Sequence, residues 1–80
     1  MRVKILYFSQ IKDLIGKNEE IIEFSGETVR DLIEVLSQKY PNVKEVLNKS
    51  MFAINENYEK TDFVLKDDDT VAIIPPVSGG

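Results

Sequence analysis

The 80-residue sequence predicts an α+β fold, a mixed sheet of about five strands with one main helix packed on one face. Three observations carry this. A single segment, residues 29–40, repeats apolar residues at helical spacing over a length that can cover a sheet. Short runs rich in β-branched and aromatic residues precede and follow it. The chain is long enough for one modest core and no second domain, since a chain of this size buries only about 60% of its unfolded surface.

Residues 2–8 alternate in character. Val3, Ile5 and Tyr7 share one face, and Arg2, Lys4, Leu6 and Phe8 share the other. The uncharged face is the expected core face, which leaves Leu6 and Phe8 on the charged side. Ser9 stands where it can cap a short helix over residues 10–15, with Ile11, Leu14 and Ile15 on its apolar side, and Gly16 stands where a left-handed residue ends a helix. Residues 19–24 read as a second strand, so the first two strands form a broad hairpin. Ser25-Gly26-Glu27 is a turn. Thr28 with Asp31 resembles a capping box, although Asp is a poorer partner than Glu at that place. Val29, Leu32, Ile33, Leu36 and Tyr40 form the core stripe of the main helix, and Pro41 ends it.

Val43, Val46 and Leu47 suggest a further helical turn over residues 42–48. Residues 51–55 read as a third strand, Asn55-Glu56-Asn57 as a polar turn, and Tyr58 as the start of a short edge strand or loop. Phe63 and Leu65 are apolar anchors before the acidic turn Asp67-Asp68-Asp69. Residues 70–74 are the final strand, with Val71 and Ile73 facing the core, and Pro75-Pro76 stops it by removing two donors. The expected division is a folded domain over residues 1–74 and a flexible tail over residues 75–80. Strand, strand, helix, then short strands is the order of the β-grasp, or ubiquitin-like, arrangement. In that arrangement the first and last strands lie side by side mid-sheet, an adjacency that comes from the fold analogy alone.

Composition excludes several chemistries. There is no cysteine, which removes disulfides, thiolate metal sites and thiol nucleophiles. There is no histidine, the commonest general base. Fourteen acidic against ten basic residues, a net charge of −4, argue against non-specific nucleic-acid binding. No apolar run approaches the ~18 residues of a membrane span. The N-terminal residues read as a strand, so no signal peptide is expected, and the expected location is the cytoplasm. Asp67, Asp68 and Asp69 lack the ligand spacing and the glycine of a calcium loop, so a solvated turn is the preferred reading and no metal is expected. Lys12, Lys39, Lys44 and Lys66 are read as solvated.

The chain end holds the functional signal. Pro75-Pro76-Val77-Ser78-Gly79-Gly80 has no periodicity. Two prolines make a stiff, extended exit, and two glycines make a thin end with no side chains. Six extended residues reach at most about 20 Å, enough to carry a terminal carboxylate into a narrow channel of another protein. A frayed terminus is the simpler reading of Gly-Gly alone. The stiff exit on this fold favours a working tail.

The run from Asp69 through Thr70-Val71-Ala72-Ile73-Ile74 to Pro75-Pro76-Val77-Ser78-Gly79-Gly80 closely resembles the C-terminus of the MoaD family, the small subunits of molybdopterin synthase. Val3-Lys4-Ile5-Leu6-Tyr7-Phe8-Ser9, Leu14-Ile15-Gly16 and Thr28-Val29 are also similar to that family, so the resemblance spans nearly the whole chain. Asp68 departs from it, standing where the family often has Gly in an Asp-Gly-Asp turn. Asp tolerates a left-handed conformation less well. The resemblance implies a sulfur carrier in molybdenum cofactor biosynthesis. An E1-like, MoeB-like enzyme uses ATP to adenylate Gly80, sulfur replaces the adenylate to give a thiocarboxylate, and the tail enters the large, MoaE-like synthase subunit. There it gives sulfur to precursor Z (cyclic pyranopterin monophosphate). It also implies a monomer when alone and a heterotetramer with the large subunit. No tightly bound cofactor is expected, since ATP belongs to the activating partner. Nor does this chain catalyse alone.

Gly80 is thus the expected reacting group. Gly79, Ser78, Val77, Pro76 and Pro75 are expected to line the partner's channel. Phe8 and Ile74 face away from the inferred core on strands expected to be neighbours, and Tyr58 is grouped with them in an exposed apolar patch that meets the partner. Two other readings stand beside this one. The first is a ubiquitin-like modifier, or a sulfur carrier for thiamine or tRNA thiolation. The second is a plain interaction module with an incidental tail.

Overall fold

A computed structural model describes residues 1–77. Strands β1 (Arg2–Tyr7), β2 (Glu19–Glu23), β3 (Met51–Ile54), β4 (Asn57–Glu59) and β5 (Thr70–Ile74) form one sheet in the order β2-β1-β5-β3-β4. β1 and β5 are parallel and central, whereas β1 with β2, β3 with β5 and β3 with β4 are antiparallel. The sheet is therefore mixed, and the first and last strands are neighbours. Helices α1 (Ser9–Ile15), α2 (Val29–Lys39) and α3 (Lys44–Lys49) complete the fold, with a 3-10 turn at Pro41–Val43.

One face of the sheet meets α2. Val3, Ile5 and Tyr7 of β1, Ile22 of β2, Phe52 and Ile54 of β3, and Val71 and Ile73 of β5 pack there with Val29, Leu32 and Leu36 of α2. Val43, Leu47, Ile11, Phe24 and Leu65 close the ends of this core. Each large side chain so buried stabilises by roughly 1.5–3 kcal/mol relative to exposure. Ile33 and Tyr40 pack against this cluster but are only partly buried.

The capping box forms in full. Thr28 Oγ1 accepts from the Asp31 amide at 3.2 Å, and Asp31 Oδ2 accepts from the Thr28 amide at 3.0 Å and the Glu27 amide at 2.8 Å. Those amides hold the Asp31 carboxyl below its ordinary range. The box also fixes the register against the loop beyond β4, where Val29 donates to the Phe63 carbonyl and Leu65 to that of Glu27.

The entry to α1 differs from expectation. Phe8 takes the capping position with extended backbone, and no side chain caps this end. Ser9 has φ +53°, so the chain turns sharply there, and the Phe8 carbonyl accepts from the Ile11 and Lys12 amides. Only Ile11 of α1 is buried, and Leu14 lies on the surface. Gly16 does end the helix in the left-handed region at φ +87°. The Asn55-Glu56 hairpin turn has φ +52° and +75°, and Asp68 adopts φ +69°, the conformation its glycine-like position demands. The acidic turn is knitted into the body. Asp67 Oδ1 accepts from the Arg2 amide, the Arg2 carbonyl accepts from the Asp68 amide, and Asp69 accepts from Lys66 and Asn55.

Candidate functional site: the sheet face and tail exit

The face of the sheet away from α2 is set by strand parity. Because strand residues alternate, burying Val3, Ile5 and Tyr7 turns Leu6 outward, and burying Val71 and Ile73 turns Thr70, Ala72 and Ile74 outward. Register then builds rows across the strands. Leu6 pairs with Ala72, Ala72 with Ala53, and Ala53 with Tyr58. The next row starts one residue beyond the Tyr7–Ile73 pair, where Phe8 and Ile74 follow on neighbouring strands, and Ile74 pairs with Met51.

This surface is apolar. Phe8 is 45% exposed, Met51 56% and Tyr58 62%. Ile74 is half-buried between its neighbours, not open as the sequence suggested, because Met51 and the end of β1 flank it. Met51 belongs to the patch although the sequence reading did not include it. Its parity with Ala53 on a strand whose Phe52 and Ile54 face the core was the available signal. Leu6, Ala53, Asn55, Glu56, Thr70 and Ala72 line a shallow depression beside it.

The chain leaves β5 just beyond Ile74, the residue that sits between Phe8 and Met51 in this patch. Pro75 is buried, and the accessible segment begins at Pro76. Val77 is 91% exposed. The Pro76 carbonyl accepts a hydrogen bond from Gln10 Nε2 at 3.4 Å. Ser78, Gly79 and Gly80 lie outside the described residues.

A polar cluster at the far edge was not foreseen. Glu20 shares parity with Ile22, so it points to the core side of the edge strand, and its side chain is only 10% exposed. Tyr7 and Tyr40 each donate to Glu20 Oε2 at 2.6 Å, while Lys39 Nζ lies 3.0 Å and Lys17 Nζ 3.6 Å from Oε1. Lys39 is therefore paired, not simply solvated, and also sits over the Tyr40 ring at 5.6 Å. Burial alone raises the Glu20 carboxyl, but hydrogen bonds from Tyr40, Tyr7 and Lys39 outweigh it and hold the group down to about 2. Burial, then the bond to Glu20, pushes the Tyr40 hydroxyl up to about 12 and raises that of Tyr7 as well. This cluster braces the fold. Among the described residues no group of three or more Asp and Glu side chains is arranged to hold a metal ion, and no helix is long and apolar enough to cross a membrane.

Among the described residues, then, an apolar sheet face lies beside the point where the chain leaves β5. The ThiS family model matches residues 5–80, which takes in both the face and the tail. The chain belongs to the ThiS family.

Within the ThiS family it is 37% identical to the molybdopterin synthase sulfur carrier subunit of Chlamydomonas reinhardtii, over 100% of both chains. Its fold matches the small archaeal modifier protein 1 of Methanosarcina acetivorans with a TM-score of 0.84 and 32% identity, covering 99% of this chain and 96% of that one. It also matches a chain in the complex of subunits 1 and 2 of molybdopterin-converting factor from Helicobacter pylori, with a TM-score of 0.70, 27% identity and 100% coverage of both chains. The β-grasp fold and the family resemblance drawn from the sequence both hold.

Proposed function

We propose that this chain is the sulfur carrier subunit of a molybdopterin synthase, with the carboxyl group of Gly80 as its working group. The family match carries the reading, because its span runs through residue 80 and so includes the Gly79-Gly80 end. A full-length relative with that name supports it. The composition is consistent with it, since a chain without cysteine cannot carry sulfur as a persulfide on its own side chain.

A carboxylate resists nucleophiles because it is negatively charged. An E1-like partner removes that resistance. A Gly80 oxygen attacks the α-phosphate of ATP, pyrophosphate leaves, and an acyl-adenylate forms. A sulfur nucleophile then displaces AMP and leaves a thiocarboxylate. The tail, from Pro76 onward, enters the large synthase subunit, while Phe8, Ile74, Met51 and Tyr58 dock the body against it. There the sulfur passes to the pterin precursor. ATP and its metal are bound by the activating partner, and this chain holds no cofactor of its own. A complex of the two subunit types in a relative supports the large-subunit partner.

The test is incubation with the activating enzyme, ATP and a sulfur donor, followed by intact mass measurement. The expected result is a gain equal to exchange of one oxygen for sulfur at Gly80, absent when Gly79 and Gly80 are deleted. No gain with an enzyme competent on another carrier overturns the reading. The likeness to an archaeal modifier protein favours a second role, in which Gly80 is joined to lysines of other proteins. Conjugates that disappear on deletion of Gly80 in cells, with molybdoenzyme activity intact, select that role.

A further inference from the structure

We propose that Gln10 is a positioning residue that sets the direction in which the C-terminal segment leaves the body. Three features meet at the exit. Pro75 is buried, so the point of departure is fixed in the body and the first free rotation comes after it. Pro76 follows with φ restricted by its ring, which leaves its ψ as the main angle that steers everything beyond. Gln10 Nε2 donates to the carbonyl oxygen of Pro76, the atom whose position reports that angle.

The first turn of α1 reaches the exit because of Ser9. β1 and β5 run parallel, so Phe8 and Ile74 end side by side and both chains continue in the same direction. A straight continuation carries the chain after β1 alongside the tail without gripping it. The left-handed Ser9, φ +53°, turns the backbone immediately after Phe8 and places Gln10 over Pro76. A non-glycine residue in this region costs energy, so the turn is held by its surroundings. Pro76 has no amide hydrogen and cannot anchor itself through its own donor, which leaves its carbonyl as the only backbone handle at that position.

This role rests on the carrier reading, since a steered tail matters when the tail must enter a partner. A thread whose departure is restrained at Pro76 loses less freedom on entering a channel than one that sweeps a cone. The bond is exposed and 3.4 Å long, so its contribution is modest. Losing it raises the half-saturating concentration of carrier by roughly two- to tenfold with the maximal rate unchanged.

The experiment has two arms on the full chain. In the first, backbone ¹⁵N relaxation at Val77 is measured in the wild type and in Gln10→Ala, Gln10→Glu and Gln10→Lys. Glu keeps the shape but has no donor at neutral pH, whereas Lys keeps a donor. The expected result is a lower heteronuclear NOE at Val77 in Ala and Glu, retention in Lys, and unchanged melting temperatures. Equal values in all four proteins overturn the proposal, as does a Glu variant that behaves like the wild type. In the second arm, thiocarboxylated variants are titrated against the large synthase subunit. A raised half-saturation in Ala and Glu supports the role, and an unchanged one overturns its functional part. The first arm uses no partner, so failure of the carrier reading leaves it standing and is told apart from failure of the Gln10 contact.

Discussion

The Tyr7 hydroxyl donates to Glu20 Oε2 across 2.6 Å, joining the end of a central strand to the edge strand beside it. Tyr40 reaches the same oxygen from the end of α2, so one carboxylate ties sheet and helix together.

Glu20→Gln is expected to remove this tie. A neutral amide accepts more weakly and turns unwanted donors toward two tyrosine hydroxyls, at a cost of about 2 kcal/mol near pH 7. The folded-state carboxyl sits at about 2, against 4.5 when free. Its contribution is therefore complete above pH 4.5 and lost as pH falls toward 2. Urea unfolding of the wild type at pH 6 and pH 3 will show the loss, and the Gln variant will show less of it.

Alkaline conditions act through the other partner. Tyr40 ionises near 12 in the folded chain rather than near 10, so its neutral form is favoured by folding. Stability is full below pH 10 and falls as pH rises through 12. Tyr40→Phe removes this dependence in part, and the absorbance of tyrosinate recorded beside circular dichroism checks it.

Two left-handed positions give opposite predictions. Gly16 has φ +87° with open space around it, so Gly16→Ala meets no clash and pays only the torsional cost, about 1 kcal/mol or a fall of about 4–8 °C in melting temperature. Asp68 has φ +69° without being glycine. Asp68→Gly relieves that strain and loses an exposed 3.4 Å ion pair with Arg2, worth little. A gain of about 0.5 kcal/mol, after the entropy of glycine in the unfolded chain, is expected from thermal denaturation.

Phe8→Ala and Met51→Ala are expected to weaken binding to the large synthase subunit by about tenfold each in calorimetric titration. Both side chains are around half exposed, so each change lowers stability by no more than about 1 kcal/mol. A larger fall in melting temperature with unchanged affinity places these residues in the fold instead of the interface.

Much of this was legible from parity and punctuation. Alternation in residues 2–8 fixed which side of β1 is buried, and Thr28, Pro41 and Gly16 marked helix ends through local chemistry that tertiary context did not override. The outward face followed from the same alternation once the two central strands were neighbours, a pairing across most of the chain that only fold analogy supplied. Glu20 was missed because a charged residue in a strand reads as solvent-facing, and its partners come from residues distant in sequence. Ser9 was misread because a serine before an apolar helical repeat signals a cap, whereas its backbone is taken up by the turn toward the exit. Gln10 carried no signal, since its partner is a carbonyl that any residue has.

The parallel pairing of β1 with β5 has a mechanical consequence. Traction applied beyond Pro76 runs along β5 and opposes its bonds to both β1 and β3 sideways. Those ladders must slip together; they cannot be unzipped rung by rung. Under the proposed carrier role, the body is thus an anchor block expected to survive withdrawal from a partner's pocket intact.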